Sequence, residues 1–129
     1  MAQVKIFGLQ SNLEPIRKSL SDAIHRAVVE ALAYPPEKRF HRFFGLTPDD
    51  FFYPPDRSDR YLILEISIFE GRSVEAKKSL IRTLYQYIGD ATGITPNDLE
   101  ITIFETPRQS WGIRGMPGDE LSLNYKVGV

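Results

Sequence analysis

The sequence predicts an α/β chain of the α+β kind, in which two β-α-β units build one four-stranded sheet with both helices on one face. Three observations carry this. Hydrophobic spacing switches twice from alternation to the three- and four-residue period of a helix face and back. Shifting the chain by 60 residues superposes Ile6 on Ile66, Leu20 on Leu80, Ala31 on Ala91, Pro36 on Pro96 and Phe44 on Phe104, and brings Lys18-Ser19 onto Lys78-Ser79. A right-handed crossover makes the two strands of each unit parallel, so units set side by side share a sheet whose other face needs a cover.

The first unit spans residues 1–46. Val4 and Ile6 alternate with polar neighbours, as in a half-buried strand, and Leu9 to Asn12 form a turn. From Leu13, the residues Ile16, Leu20, Ala23, Ile24, Ala27, Val28 and Ala31 share one helix face. Ser11 or Asn12 is placed to cap this helix, Pro15 is tolerated in its first turn, and Tyr34-Pro35-Pro36 ends it. Arg39 to Phe44 is short, aromatic and extended. A loop over 47–60, holding Pro48, Pro54 and Pro55, connects the units.

The second unit spans 61–106. Leu62, Leu64, Ile66 and Ile68 face one side of a strand over Tyr61 to Phe69, whose other side is also largely apolar. Ser73 caps a helix with Lys77, Leu80, Ile81, Leu84, Tyr87, Ile88 and Ala91 on one face, closed by Gly93 and Pro96. Leu99 to Phe104 alternates as a strand. Residues 107–129 form a Gly/Pro-containing loop and one more short strand at Leu121 to Tyr125.

Bulk properties narrow the function. The 129 residues suit a single domain, with 16 Lys+Arg against 17 Asp+Glu for a net charge of −1, so no bulk basic surface exists for nucleic acid or an anionic membrane. The chain reads as cytoplasmic: it has no apolar run of membrane-spanning length and no signal-peptide pattern. With no cysteine, thiol nucleophiles and sulfur-ligated metals are excluded. His25 and His41 lack paired metal-ligand spacing and read as packing or surface residues, so no metal is expected. Asp49-Asp50-Phe51-Phe52-Tyr53 reads as a lid or interface loop.

The stretch Glu70-Gly71-Arg72-Ser73 at a strand-to-helix turn, with Trp111-Gly112-Ile113-Arg114-Gly115 after the last long strand, resembles the tautomerase superfamily as seen in 4-oxalocrotonate tautomerase. With the duplicated length and Pro35-Pro36-Glu37-Lys38-Arg39-Phe40, nearly the whole chain resembles the malonate semialdehyde decarboxylase branch. The resemblance implies a tautomerase-like fold, a homotrimer, a small carboxylate or keto-acid ligand and no cofactor. It also implies chemistry at an amino-terminal proline, exposed when the initiator methionine is removed.

This chain has Ala2 at that place. A free α-amine has an ordinary pKa of about 7.7–8.0, which burial lowers, so an Ala2 amine can exchange protons near neutrality if Met1 is removed. With Met1 retained, the amine is displaced by one residue and family-type proton transfer has no obvious agent. Ala2 also lacks the ring that orients a proline nitrogen. Lys38 stands where the decarboxylases carry a carboxylate, and Glu70 where they carry the first of two arginines; Arg72 matches the second. Arg72, with Arg39 as a possible second cation, either holds a substrate carboxylate or fixes the helix-start turn through a backbone carbonyl. Lys38 is either a Schiff-base amine or a solvated loop charge. Trp111 walls a pocket, packs a subunit interface, or does both; Glu70 reads mainly as a turn residue. Three functions remain: a carboxylate-binding tautomerase-fold protein with weak or lost proline chemistry, an isomerase or lyase using Ala2 or Lys38, and a non-catalytic interaction protein.

Overall fold

The structure, a computed structural model, describes residues 1–122. Its main elements are β1 (Ala2–Leu9), α1 (Gln10–Leu13), α2 (Arg17–Leu32), β2 (His41–Leu46), β3 (Leu62–Phe69), α3 (Val74–Thr92), β4 (Leu99–Thr106), β5 (Gly112–Ile113) and β6 (Met116–Pro117). The four long strands form one sheet in the order β2-β1-β3-β4, with β1 parallel to β2, β3 parallel to β4, and β1 antiparallel to β3.

The register carries the duplication. Val4 pairs with His41 and Leu64 with Ile101, an offset of 37 residues in both units. Across the antiparallel joint Lys5 faces Glu65, the residue that the 60-residue shift superposes on it. A pseudo-two-fold axis therefore passes through the middle of the sheet, and the units meet as equivalent halves.

Alternation decides which face is covered. Ala2, Val4 and Ile6 of β1 and Leu62, Leu64, Ile66 and Ile68 of β3 are buried beneath Leu20, Ile24, Ala27 and Val28 of α2 and Leu80, Leu84 and Ile88 of α3. The opposite face stays open: Phe7 stacks on Phe44 at 4.7 Å between ring centroids, and Phe44 and Phe104 are exposed. No helix among the described residues is long and apolar enough to cross a membrane.

Several boundaries differ from the expectation. The first helix is interrupted: α1 ends at Leu13, a 3-10 turn follows at Glu14–Ile16 with Pro15 in it, and α2 begins at Arg17. No side chain caps either start, because Asn12 donates instead to the Arg60 carbonyl at 3.0 Å and ties this corner to the inter-unit loop. β2 runs on through Gly45 to Leu46, where a Cβ on Gly45 would press within 3.2 Å of Gln10. Ala91 and the exposed end of α3 lie outside the core. In α3 the expected caps hold, with Ser73 Oγ accepting from the Ala76 amide at 3.0 Å and Gly93 taking φ 75°.

The segment after β4 contains a small hairpin that periodicity alone does not reveal. Gly112 pairs with Pro117 and Ile113 with Met116 across a turn at Arg114 (φ 50°) and Gly115 (φ 85°). Both central residues are left-handed, as in a primed hairpin turn, but Arg-Gly lacks the usual Asn-Gly signature. Gly118 closes the hairpin through its amide to the Trp111 carbonyl at 2.8 Å. A Cβ there would lie 2.7 Å from the Arg108 carbonyl oxygen and 3.1 Å from the Phe69 ring. Gly118→Ala is expected to cost about 1–3 kcal/mol, read as a lower Tm. Leu121 and Ser122 are not in a strand, and the rest of the expected 121–125 strand lies outside the described residues.

Candidate functional site

The site forms where the amino terminus enters β1 and the carboxyl end of α2 returns toward the sheet. Ala33 adopts a left-handed conformation (φ 49°) that stops α2 and turns the chain, and the Tyr34 amide still reaches the Val29 carbonyl at 3.2 Å. Tyr34 thereby packs into the core beside Ala2, where its phenol oxygen accepts the Ala2 N–H at 3.2 Å and its hydroxyl lies 3.9 Å from Met1 Sδ. Pro35 then accepts the Lys38 amide at 3.1 Å, forming the turn that carries Lys38 past the terminus.

The Glu-Gly-Arg-Ser turn brings in the second cation. Gly71 takes φ 114°, a conformation an L side chain rarely adopts, so the chain can swing sharply from β3 into α3. That swing drives Arg72 inward, only 6% exposed, where Nη1 donates to the Leu32 carbonyl at the end of α2. Within these few residues Gly71 bends the chain, Arg72 fills the site and Ser73 caps the helix.

Arg108 is the third cation. It donates to the Gly118 carbonyl through Nε (3.2 Å) and Nη2 (2.9 Å), and to the Leu121 carbonyl at 3.2 Å, while its guanidinium lies 5.5 Å from the Phe69 ring centroid. Trp111 meets the same ring edge-on at 5.1 Å. Phe69 thus joins the end of β3 to the hairpin that holds Arg108.

Burial and these cations act on one group. The Met1 amine is lowered from 8.0 to about 5, by desolvation first and then by the positive fields of Arg72, Lys38 and Arg108. It is an unprotonated primary amine at neutral pH. The Tyr34 phenol is pushed up by burial and stays protonated.

The structure therefore brings the amino terminus, Lys38 and Arg72 together, and places two other candidates elsewhere. Arg39 pairs with Asp22 of α2 at 2.7 Å and also reaches Ser21 at 3.4 Å. Glu70 is exposed, with its amide on the Thr106 carbonyl at 3.0 Å. Tyr34 and Arg108 are the residues that reading the sequence missed. Their signals were slight: a tyrosine just before Pro-Pro and an arginine in a polar loop. His25 donates through Nε2 to the Pro36 carbonyl at 2.6 Å, and His41 Nδ1 shares a 2.7 Å hydrogen bond with Ser21. Burial lowers His41 to about 4, helped by Arg39 and His25. Among the described residues no three His, Asp or Glu side chains converge as a metal site would require.

These shifts set a pH dependence. The Met1 amine binds its proton up to pH 8.0 when unfolded but only to about 5 in the fold, and His41 up to 6.5 against about 4. The unfolded chain holds more protons throughout that window, so stability rises with pH. Thermal melts are expected to show Tm climbing from about pH 4 to 8; a flat profile contradicts the two burials.

An amine at the head of a duplicated β-α-β sheet, within the positive fields of three cations, characterises this small α+β protein. The profile of the tautomerase enzyme family, Tautomerase_2, matches residues 38–114, more than half of the chain, and the protein belongs to this family. The chain is 24% identical over 99 residues to a probable tautomerase, YusQ, of Bacillus subtilis (strain 168), covering 73% of this chain and 78% of the relative. In fold it is similar to the FG41 malonate semialdehyde decarboxylase inhibited by 3-bromopropiolate, at TM-score 0.80 and 23% identity over 94% of this chain and 98% of that one. It is also similar to a fused 4-OT wild-type symmetric trimer, at TM-score 0.77 and 18% identity over 91% and 96% of the two chains.

Proposed function

We propose that this tautomerase-family protein binds a small carboxylate or keto-acid between Arg72, Lys38 and the amino terminus, and that its proline-type tautomerase or decarboxylase activity is weak or lost. The observation that carries the binding half is that the positive fields of Arg72, Lys38 and Arg108 act together on one half-buried amine. Three positive fields beside an uncharged group attract an anion, and an amine held unprotonated at neutral pH can take a proton from a carbon next to a carbonyl. The weakness follows from Ala2, an acyclic residue where the chemistry depends on an oriented ring nitrogen, and from Lys38 in place of a carboxylate. The test is ketonisation of phenylpyruvate enol and decarboxylation of malonate semialdehyde by the purified protein. Rates at least 100-fold below those of a proline-bearing relative are expected, with pyruvate still bound; rates equal to the relative's sink the proposal.

The unprotonated amine also favours a second reading, in which it or Lys38 forms an imine with a carbonyl acid. Borohydride reduction in the presence of pyruvate, followed by peptide mass spectrometry, locates such an adduct. Its absence, together with an unchanged Lys38→Ala variant, counts against this reading. Trp111 acts here as a wall of the site through Phe69, while Arg39 and Glu70 take no part in binding.

The open sheet face suggests an assembly. Phe7, Phe44 and Phe104 would be covered if three copies turned these faces inward, in line with the trimer formed by the fused 4-OT relative. Light scattering is expected to read the mass of three chains.

A further inference from the structure

We propose that Tyr34 is a positioning residue for the terminal amine of Ala2: once Met1 is removed, its phenol oxygen accepts an amine N–H and keeps the nitrogen lone pair turned away from the ring. This rests on the reading of the site as an amine-dependent keto-acid site.

The nitrogen in question is the same atom in both forms of the chain. With Met1 in place it is a peptide nitrogen whose N–H donates to Tyr34 at 3.2 Å; without Met1 it is the terminal amine at the same spot. Alanine's small side chain suits removal of the initiator methionine. Tyr34 cannot drift from this contact, because it is 3% exposed, belongs to the main core and is set by the left-handed Ala33 turn. Ala2 is equally fixed, 4% exposed and paired with Ile68.

A primary amine needs such a restraint. It rotates about its N–Cα bond among three staggered wells, only some of which aim the lone pair at a ligand held by the cations. A proline ring removes that freedom covalently. A buried acceptor 3.2 Å away excludes the well that would turn the lone pair onto Tyr34, so the sequence carries, 32 residues downstream, part of the restraint that the missing ring would impose.

The test uses the purified protein, with intact mass showing Ala2 as its first residue; a mass that retains Met1 overturns the proposal. Carbamylation by cyanate, followed against pH at the Ala2 amine, requires no substrate. Loss of a hydrogen bond that favours the ammonium form should lower the midpoint in Tyr34→Phe by about half a pH unit, and an unmoved midpoint overturns the proposal. If the phenylalanine variant does not fold, 3-fluorotyrosine at position 34 keeps the shape with a weaker acceptor and should move the midpoint the same way.

Reductive trapping with pyruvate and cyanoborohydride is the second measurement. Tyr34→Phe should slow the Ala2 adduct by up to about twofold, and leave the rate unchanged when Ala2→Pro is also present. Equal losses in both backgrounds reduce Tyr34 to a packing residue and overturn the proposal. A shifted cyanate midpoint with neither a pyruvate adduct nor pyruvate binding on any variant upholds Tyr34 and defeats the keto-acid reading. An adduct with an unmoved midpoint does the reverse.

Discussion

Ala2→Pro is expected to raise the rate of phenylpyruvate enol ketonisation by about 100-fold, the low end of what a well-placed general base contributes. The surroundings for that base exist already. Position 2 is itself buried, and Arg72, Lys38 and Arg108 depress the amine one residue before it. Position 2 is the first residue of β1, where a proline costs a strand least. Enol absorbance followed in the ultraviolet gives the measurement, with intact mass confirming that Met1 is gone. A gain under threefold would show that the missing ring does not limit this site. Decarboxylation should not return with the same change, since Lys38 still occupies the place of a carboxylate and Glu70 that of an arginine; Ala2→Pro with Lys38→Asp and Glu70→Arg is the variant expected to support it.

How far the sequence reveals this arrangement depends on the kind of information each part requires. The sheet and its helices are legible because each strand and helix writes its own period: Val4 and Ile6 alternate, Leu80, Leu84 and Ile88 recur by fours, and the 60-residue shift reappears as an identical 37-residue register in both units. Arg72 is legible because a local motif contains it. Tyr34 and Arg108 are not, since what makes them important is contact over long separations. Tyr34 meets Ala2 from 32 residues away, and Arg108 acts through a hairpin whose Arg114-Gly115 turn carries no common signature. Arg39 shows the converse limit. Its neighbour Lys38 adds to the positive field at the amine, whereas Arg39 pairs with Asp22 on α2. The break between α1 and α2 escapes for a third reason: Asn12 supports a helix cap locally, yet it is spent on the Arg60 carbonyl of the other unit.

Arg72→Met is expected to produce two effects of different origin, and their separation tells structure from chemistry. Arg72 is buried and donates to the Leu32 carbonyl, one of the last carbonyls of α2, which the helix itself cannot satisfy. Methionine fills similar space without a donor, leaving that oxygen buried and lacking this hydrogen bond. A charge-assisted hydrogen bond of this kind is worth about 1.5–3 kcal/mol, and its loss should lower Tm by on the order of 10 °C. The second effect is electrostatic. Among the charges acting on the Met1 amine Arg72 ranks first, so its removal should let the amine titrate above about 5, which cyanate modification against pH would register. Arg72→Lys divides the two roles. A lysine retains the positive field and can donate a single hydrogen bond to a helix-end carbonyl, so the amine midpoint and part of the stability should survive. Paired hydrogen bonding to a ligand carboxylate needs the guanidinium fork, so pyruvate affinity should fall about tenfold in Arg72→Lys as well. If Lys binds pyruvate as tightly as Arg, the guanidinium serves the helix end and the field alone, and carboxylate recognition passes to Lys38 and Arg108.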